Sequence, residues 1–388
     1  MGSSGGEEFT KLEYLQSTGT QWIDTGVFAD QDCEAIVECS AADFYQHYVF
    51  GARTEVGSRD MFCFILGDVA SAWPQFNGNS YIVSNQDLLP ELKNRSTVVL
   101  NSSGCFINGK ALNTFGSYSN FTTPVTVALF GMRQASGLDS RTFIGKIYSF
   151  QIKKKGELLL DLIPALDSSG NPCMFDKVSQ IPLYNNGKGE FVYKRVENLP
   201  AGLRRVEYVE NTEEYKINSE IVLTKESTVE SEFAITRTWG GYAGIYGAYY
   251  PFGLLVQPGT YQLIFTNDEP GALYRYYYTS DLLAKVSCCH KWRKIFVNGN
   301  QLKLDFFNDS GSSIEDGRTC YLFDFGAVTS INSGFMRLYS FAIAEKGQLV
   351  YQLIPCIDGE EKLLLYEAVS KTKIYLPSHF VSGEVVDA

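Results

Sequence analysis

Long apolar runs are missing from this chain. No stretch approaches the roughly 18 consecutive apolar residues of a membrane-spanning helix, so no membrane span is expected. Histidine is scarce, with only His47, His290 and His379, which leaves little choice of general base or imidazole ligand. None of the nine cysteines (Cys33, Cys39, Cys63, Cys105, Cys173, Cys288, Cys289, Cys320, Cys356) stands in a C-x-x-C pair, which argues against a structural zinc. Several alternate with apolar residues, as in Met61–Ile65 (MFCFI), and read as buried thiols rather than a disulfide framework. Basic residues are outnumbered 33 to 44, a net charge of −11 that repels a phosphate backbone, so no nucleic-acid partner is expected. The densest basic cluster, Lys153 to Lys155, precedes Gly156 and reads as a solvated hairpin tip. Phosphate-cradling loops are absent, and the string Gly-x-Ser-x-Gly occurs only at residues 2–6, in the leader, where no strand precedes it to form an elbow. The first residues carry neither a basic n-region nor an apolar h-region, so residues 1–10 read as a flexible leader or tag remnant.

Aromatics and glycine are plentiful: 24 Tyr, 26 Phe and 35 Gly among 388 residues. That mixture suits many short strands joined by tight turns. The strongest signal is internal repetition. Leu12–Leu15 (LEYL) recurs as Val206–Val209 (VEYV), Tyr48–Ala52 (YVFGA) as Gly244–Ala248 (GIYGA), and Phe106–Lys110 (FINGK) as Phe296–Asn300 (FVNGN). Ile147–Ile152 (IYSFQI) matches Leu338–Ile343 (LYSFAI), and each is followed by Lys-Gly and then LIP, at Leu162–Pro164 or Leu353–Pro355. Val178, Ser179 and Tyr184 match Val369, Ser370 and Tyr375. Asn-Gly at 108–109 and 298–299 supplies the two positive φ angles of a type I′ hairpin. Tyr148, Phe150 and Ile152 are expected to share one strand face, as are Tyr339, Phe341 and Ile343. The expected architecture is all-β: two tandem antiparallel β-sandwich domains, at 11–197 and 203–388, joined by a linker at 198–202.

Several segments resemble concanavalin A-like (laminin-G-like) jelly-roll domains of phage, prophage and gut-bacterial surface proteins. They are Glu13–Gly26 (EYLQSTGTQWIDTG), Phe50–Arg53 (FGAR), Asn108–Lys110 (NGK) and the closing stretch Gly145–Phe191, which ends in LYNNGKGEF and is the most specific. The resemblance covers the first repeat. The second lacks Ser-Thr-Gly in its opening and the Asn-Gly-x-Gly close. It implies a lectin-like accessory module found on virion fibres and tails or on secreted and surface bacterial proteins.

Catalysis finds little support. Retaining glycosidases on this kind of fold place two carboxylates about 5 Å apart on one strand face. The nearest approach is Glu230 and Glu232, whose aligned segment in the first copy is read as Cys33–Val37, with Ile36 in place of the second carboxylate. His290 follows Cys288 and Cys289 and could form a Cys/His dyad, but a buried strand thiol is the plainer reading. Calcium could accompany the fold at Asp24, Asp139 or Asp167, though no Asp-x-Asp-x-Asp spacing supports it and no cofactor is expected. Sugar stacking needs exposed aromatics beside amides or carboxylates. Trp73, Phe76, Asn77 and Asn79 offer this in the first copy, and Trp239 and Tyr242 in the second. Tyr274, Arg275, Tyr276, Tyr277 and Tyr278 form an aromatic run suited to a docking interface and a homo-oligomer. The expected function is therefore a non-enzymatic binding or structural module. The setting is a virion component assembled in the bacterial cytoplasm, tail-associated or head-fibre, that contacts virion subunits or surface glycans. The alternatives are a secreted or cell-surface adhesin and, behind it, a glycoside hydrolase.

Overall fold

The computed structural model describes residues 9–54, 60–68, 71–80, 82–116, 119–197, 199–237, 242–248, 252–257, 262–267, 273–275, 284–291, 294–302, 319–323, 331–333 and 335–386. The chain divides into two units, Met1–Val196 and Glu197–Ala388. In the first, one sheet runs in the order Lys110–Thr114, Gly104–Ile107, Ser96–Asn101, Cys33–Ala41, Ile144–Lys154, Thr10–Thr18, Glu157–Leu166, Pro172–Asp176, Ile181–Leu183. A second sheet is centred on His47–Arg53, Met61–Asp68 and Ser71–Phe76. Their inner faces meet in one core, where the rings of Phe50 and Phe150 lie 5.5 Å apart.

The second unit repeats this order as Asn300–Gln301, Lys294–Val297, Val286–Lys291, Ser227–Arg237, Phe335–Glu345, Gln348–Ile357, Leu363–Glu367, Thr372–Tyr375. Each unit is thus a two-sheet β-sandwich, antiparallel but for single parallel pairings in the second sheet of each. Helix is confined, among the described residues, to one 3-10 turn at Leu89–Lys93. No helix among them is long and apolar enough to cross a membrane.

Local chemistry explains the turns. Asn108 and Gly109 adopt φ of 50° and 76°, and Asn298 and Gly299 adopt 49° and 76°, the pair of positive angles that closes a two-residue hairpin. The Lys153–Lys155 cluster is a hairpin tip whose charges meet their own neighbours. Lys154 pairs with Asp30 at 2.6 Å, Lys153 with Glu34 at 3.7 Å and Lys155 with Asp32 at 3.6 Å.

The structure corrects one facing assignment. Ile147 pairs with Cys39 and Ser149 with Glu38, so Tyr148 is the extra residue of a β-bulge. A bulge reverses the side-chain alternation on either side of it. Ile147, Phe150 and Ile152 therefore point into the core, and Tyr148 turns to the outer face, half-buried. Tyr339 is bulged in the same way between Leu338 and Ser340.

Candidate functional site

The opening and closing motifs of the first unit meet at its rim, although they stand about 160 residues apart in sequence. Backbone N–H groups of Trp22 and Asp24 donate to the side-chain oxygens of Asn185 and Asn186 at 3.2 and 2.9 Å. Asn186 N–H returns a bond to the Trp22 carbonyl at 2.8 Å, and the Thr20 hydroxyl donates to the Lys188 carbonyl at 2.8 Å. Gln21, fully buried, accepts from Thr18 N–H and donates through Nε2 to the Glu190 carbonyl at 3.1 Å. Asn185 also organises its own loop: its carbonyl accepts from Gly187 N–H and its amide donates to the Gly189 carbonyl, both at 2.8 Å.

Beside this ladder lies a cavity of about 300 Å³ lined by Asn171, Pro172, Tyr184, Asn185, Glu190 and Phe191, with the bare backbones of Gly187 and Gly189. Tyr184 is 44% exposed, yet its hydroxyl is tied to Asp167 Oδ2 at 2.9 Å. Asp167 also accepts from the backbones of Ser169 and Asn171 and from the Asn171 amide. Burial opposes ionisation of Asp167, but these hydrogen bonds outweigh it and hold the carboxyl below its ordinary pKa. The result is an exposed ring in fixed orientation, two amides, one carboxylate, and no lysine or arginine in the lining.

The residues singled out from sequence fall elsewhere. Phe76 is 0% exposed and packs edge-on against Phe62 and Phe121, so this ring belongs to the core and, contrary to expectation, offers no face to a glycan. The following Asn77 is buried in a turn at φ 51°, with its amide given to the Ser119 carbonyl. Trp73 lies half-buried on the opposite, outer face of its sheet, against Tyr48, Cys63, Ile65 and Met132. A polar network flanks it, in which Arg141 donates to the Tyr48 hydroxyl at 2.7 Å and Asp139 pairs with Arg141 and Arg53 at 2.8 and 3.6 Å. Asn79, Tyr242, Tyr274 and Arg275 sit on the strands Asn79–Ser80, Tyr242–Gly247 and Leu273–Arg275. Trp239, Tyr276, Tyr277 and Tyr278 lie outside the described residues.

The calcium candidates do not converge. Asp24 faces Arg133 and Thr126, Asp139 its two arginines, and Asp167 its own turn. Among the described residues no three His, Cys, Asp or Glu side chains gather as a metal site.

The carboxylate alignment also needs correction. The registers through Ile152 and Ile343 place Val229 at the position of Ala35, so Glu230 corresponds to Ile36 and Glu232 to Glu38. Both glutamates of that second pair are structural: Glu38 meets Arg95 and Glu232 meets Lys285, at 2.5 and 3.0 Å. These cations lie over the rings of Tyr148 and Tyr339, at 4.6 and 5.1 Å. As for the Cys/His dyad, Cys288 and His290 are sealed in the core.

The rim is what sequence reading missed. Its signal was the closing LYNNGKGEF, whose partners became visible only in three dimensions. In the second unit Tyr375 still donates to Asp358, but the loop that follows carries His379, edge-on to Tyr215, in place of the asparagine ladder.

No family model and no curated protein matches this chain. Among solved structures, it is similar to domains LG4-5 of the mouse laminin alpha1 chain at 12% identity and a TM-score of 0.33, covering 90% of this chain and 94% of that one. It is also similar to a protein of Bacteroides ovatus ATCC 8483 designated provisionally as carbohydrate binding, at 12% identity and a TM-score of 0.30, covering 69% and 77%. Likeness at these scores bears on neither ligand nor site, which the chain's own rim must supply.

Proposed function

We propose that the first unit is a carbohydrate-binding module, that its site is the rim groove, and that the chain acts by attachment rather than by catalysis. One observation carries this reading: the anchored, exposed Tyr184 ring beside Asn171, Asn185 and Glu190. An aromatic face packs against the C–H face of a pyranose, and amides and a carboxylate answer its hydroxyls. A groove with a carboxylate and no cation in its lining favours neutral sugars over uronic or sialic acids. The setting we propose is a virion part, tail-associated or head-fibre, that meets other subunits or host surface glycans. The same site would serve a secreted or surface-exposed bacterial protein. Both settings rest on the sequence resemblance.

The test is an array of neutral and acidic glycans probed with the intact chain, followed by calorimetric titration of the hits. Tyr184→Ala and Glu190→Gln should each weaken binding by roughly tenfold or more, about 1.4 kcal/mol. Tyr375→Ala, at the matching place in the second unit, should leave it unchanged. Absence of any glycan hit, or full binding by Tyr184→Ala, defeats the reading.

A further inference from the structure

One pair of facing core positions is apolar in the first unit and polar in the second. In the first unit Leu100 pairs with Ala35, which pairs with Ile152. In the second, the residue at that place is His290, which pairs with Val229, itself opposite Ile343. Across the sandwich, Phe50 pairs with Phe64 and Leu129, and its counterpart is Tyr246, which pairs with Leu254 and Leu322. Where the first unit has a leucine and a phenylalanine, the second has a histidine and a tyrosine. The Tyr246 hydroxyl lies 3.1 Å from His290 Nδ1, and both side chains are 0% exposed.

The surroundings suit a neutral imidazole. Phe265 meets the ring edge-on at 5.3 Å, and Val229 and Ile295 flank it within the sheet. Among the described residues, the titratable groups that face it are Tyr246, Cys288 on the same side of its own strand, and Cys320 beside Tyr246. Burial raises the pKa of all three, so they stay uncharged. Burial also drives the imidazole pKa down to about 3. The other histidines are placed differently, His47 at 3.3 Å from Asp43 and His379 at 3.7 Å from Glu213.

We propose that His290 and Tyr246 form an acid-labile element, so that mild acid opens the core of the second unit while the first, with Leu100 and Phe50 at those places, stays folded. The sign follows from linkage. A histidine whose pKa is lower folded than unfolded lets the unfolded state bind the extra proton, so stability falls as pH drops below about 6.5 and the loss is complete near 3. At pH 4.5 such a group shifts the unfolding equilibrium by on the order of 100-fold.

Hydrogen exchange of the intact chain, read peptide by peptide at pH 7.0 and 4.5 and corrected for intrinsic rates, tests this. Protection in the second unit should fall by roughly 100-fold more than in the first. His290→Leu with Tyr246→Phe, which installs the first unit's pair, should remove that difference. His290→Gln, which keeps a neutral polar partner for Tyr246, should do the same and decides the matter if the double variant does not fold. Equal loss in both units, or an undiminished acid response in the folded variants, overturns the proposal.

Discussion

Tyr148 and Tyr339 occupy the same bulge in the two units, and each carries a cation over its ring and a second tyrosine at its edge. Tyr14 meets Tyr148 at 5.7 Å and Tyr208 meets Tyr339 at 5.5 Å, both edge-on, at 73° and 63° between ring planes. Two ring pairs on the outer face, backed by core residues two places on, make a sharp mutational contrast.

Phe150→Ala and Phe341→Ala, at fully buried core positions, should each cost about 3–5 kcal/mol. Tyr148→Ala removes a half-buried ring with its Arg95 and Tyr14 contacts, and should cost about 1–2 kcal/mol. Denaturant titration of each variant checks the ordering. Equal costs for Tyr148→Ala and Phe150→Ala would mean that the bulge does not separate the two faces.

Gly187 approaches Thr20 so closely that a Cβ would lie 2.0 Å from the Thr20 carbonyl oxygen and 3.0 Å from the Trp22 ring. Gly187→Ala must push the closing loop off the opening one, at about 1–3 kcal/mol. Binding should suffer more than folding, because the loop shapes the groove. Paired measurements of melting temperature and glycan affinity would show this, and unchanged affinity would detach the ladder from the site.

What could be read from sequence depended on range. The hairpins were legible because Asn108-Gly109 and Asn298-Gly299 impose their own backbone angles. The repeat was legible from matched strings. Facing was not, because one extra residue at Tyr148 reverses alternation and nothing in the string marks a bulge. The carboxylate alignment slipped by two residues for a related reason: a two-residue shift preserves every in-and-out position of a strand, so only the partner strands fix it. Phe76 and Trp73 looked alike in sequence, yet their strand sends one inward and the other outward. The rim escaped because Trp22 and Asn185 owe their meeting to the whole sandwich.

None of the nine cysteines is in a disulfide; eight are buried and Cys289 is half-buried. Burial pushes the thiols of Cys39, Cys63 and Cys320 up to about 12, so almost no thiolate exists at neutral pH. Native protein should react slowly with an aromatic disulfide reagent, with Cys289 first, and denatured protein should yield nine thiols. Two or more missing from that total would mean disulfides and a different strand packing.

Asp167 ties ring orientation to pH. Its carboxylate is stabilised when folded, so its contribution is present above the unfolded value of 3.8 and is lost as pH falls through the lower folded value. Asp167→Asn keeps an acceptor for the backbones of Ser169 and Asn171 but turns an amide toward the Tyr184 hydroxyl and the Asn171 amide, both of which donate. The expected cost is about 1–3 kcal/mol at neutral pH, with a flatter acid limb below pH 4. Glycan affinity should drop along with stability, since the ring loses its anchor. If the variant keeps wild-type affinity at neutral pH while losing stability, the Asp167–Tyr184 bond serves the fold alone, and the tyrosine needs no fixed orientation to bind.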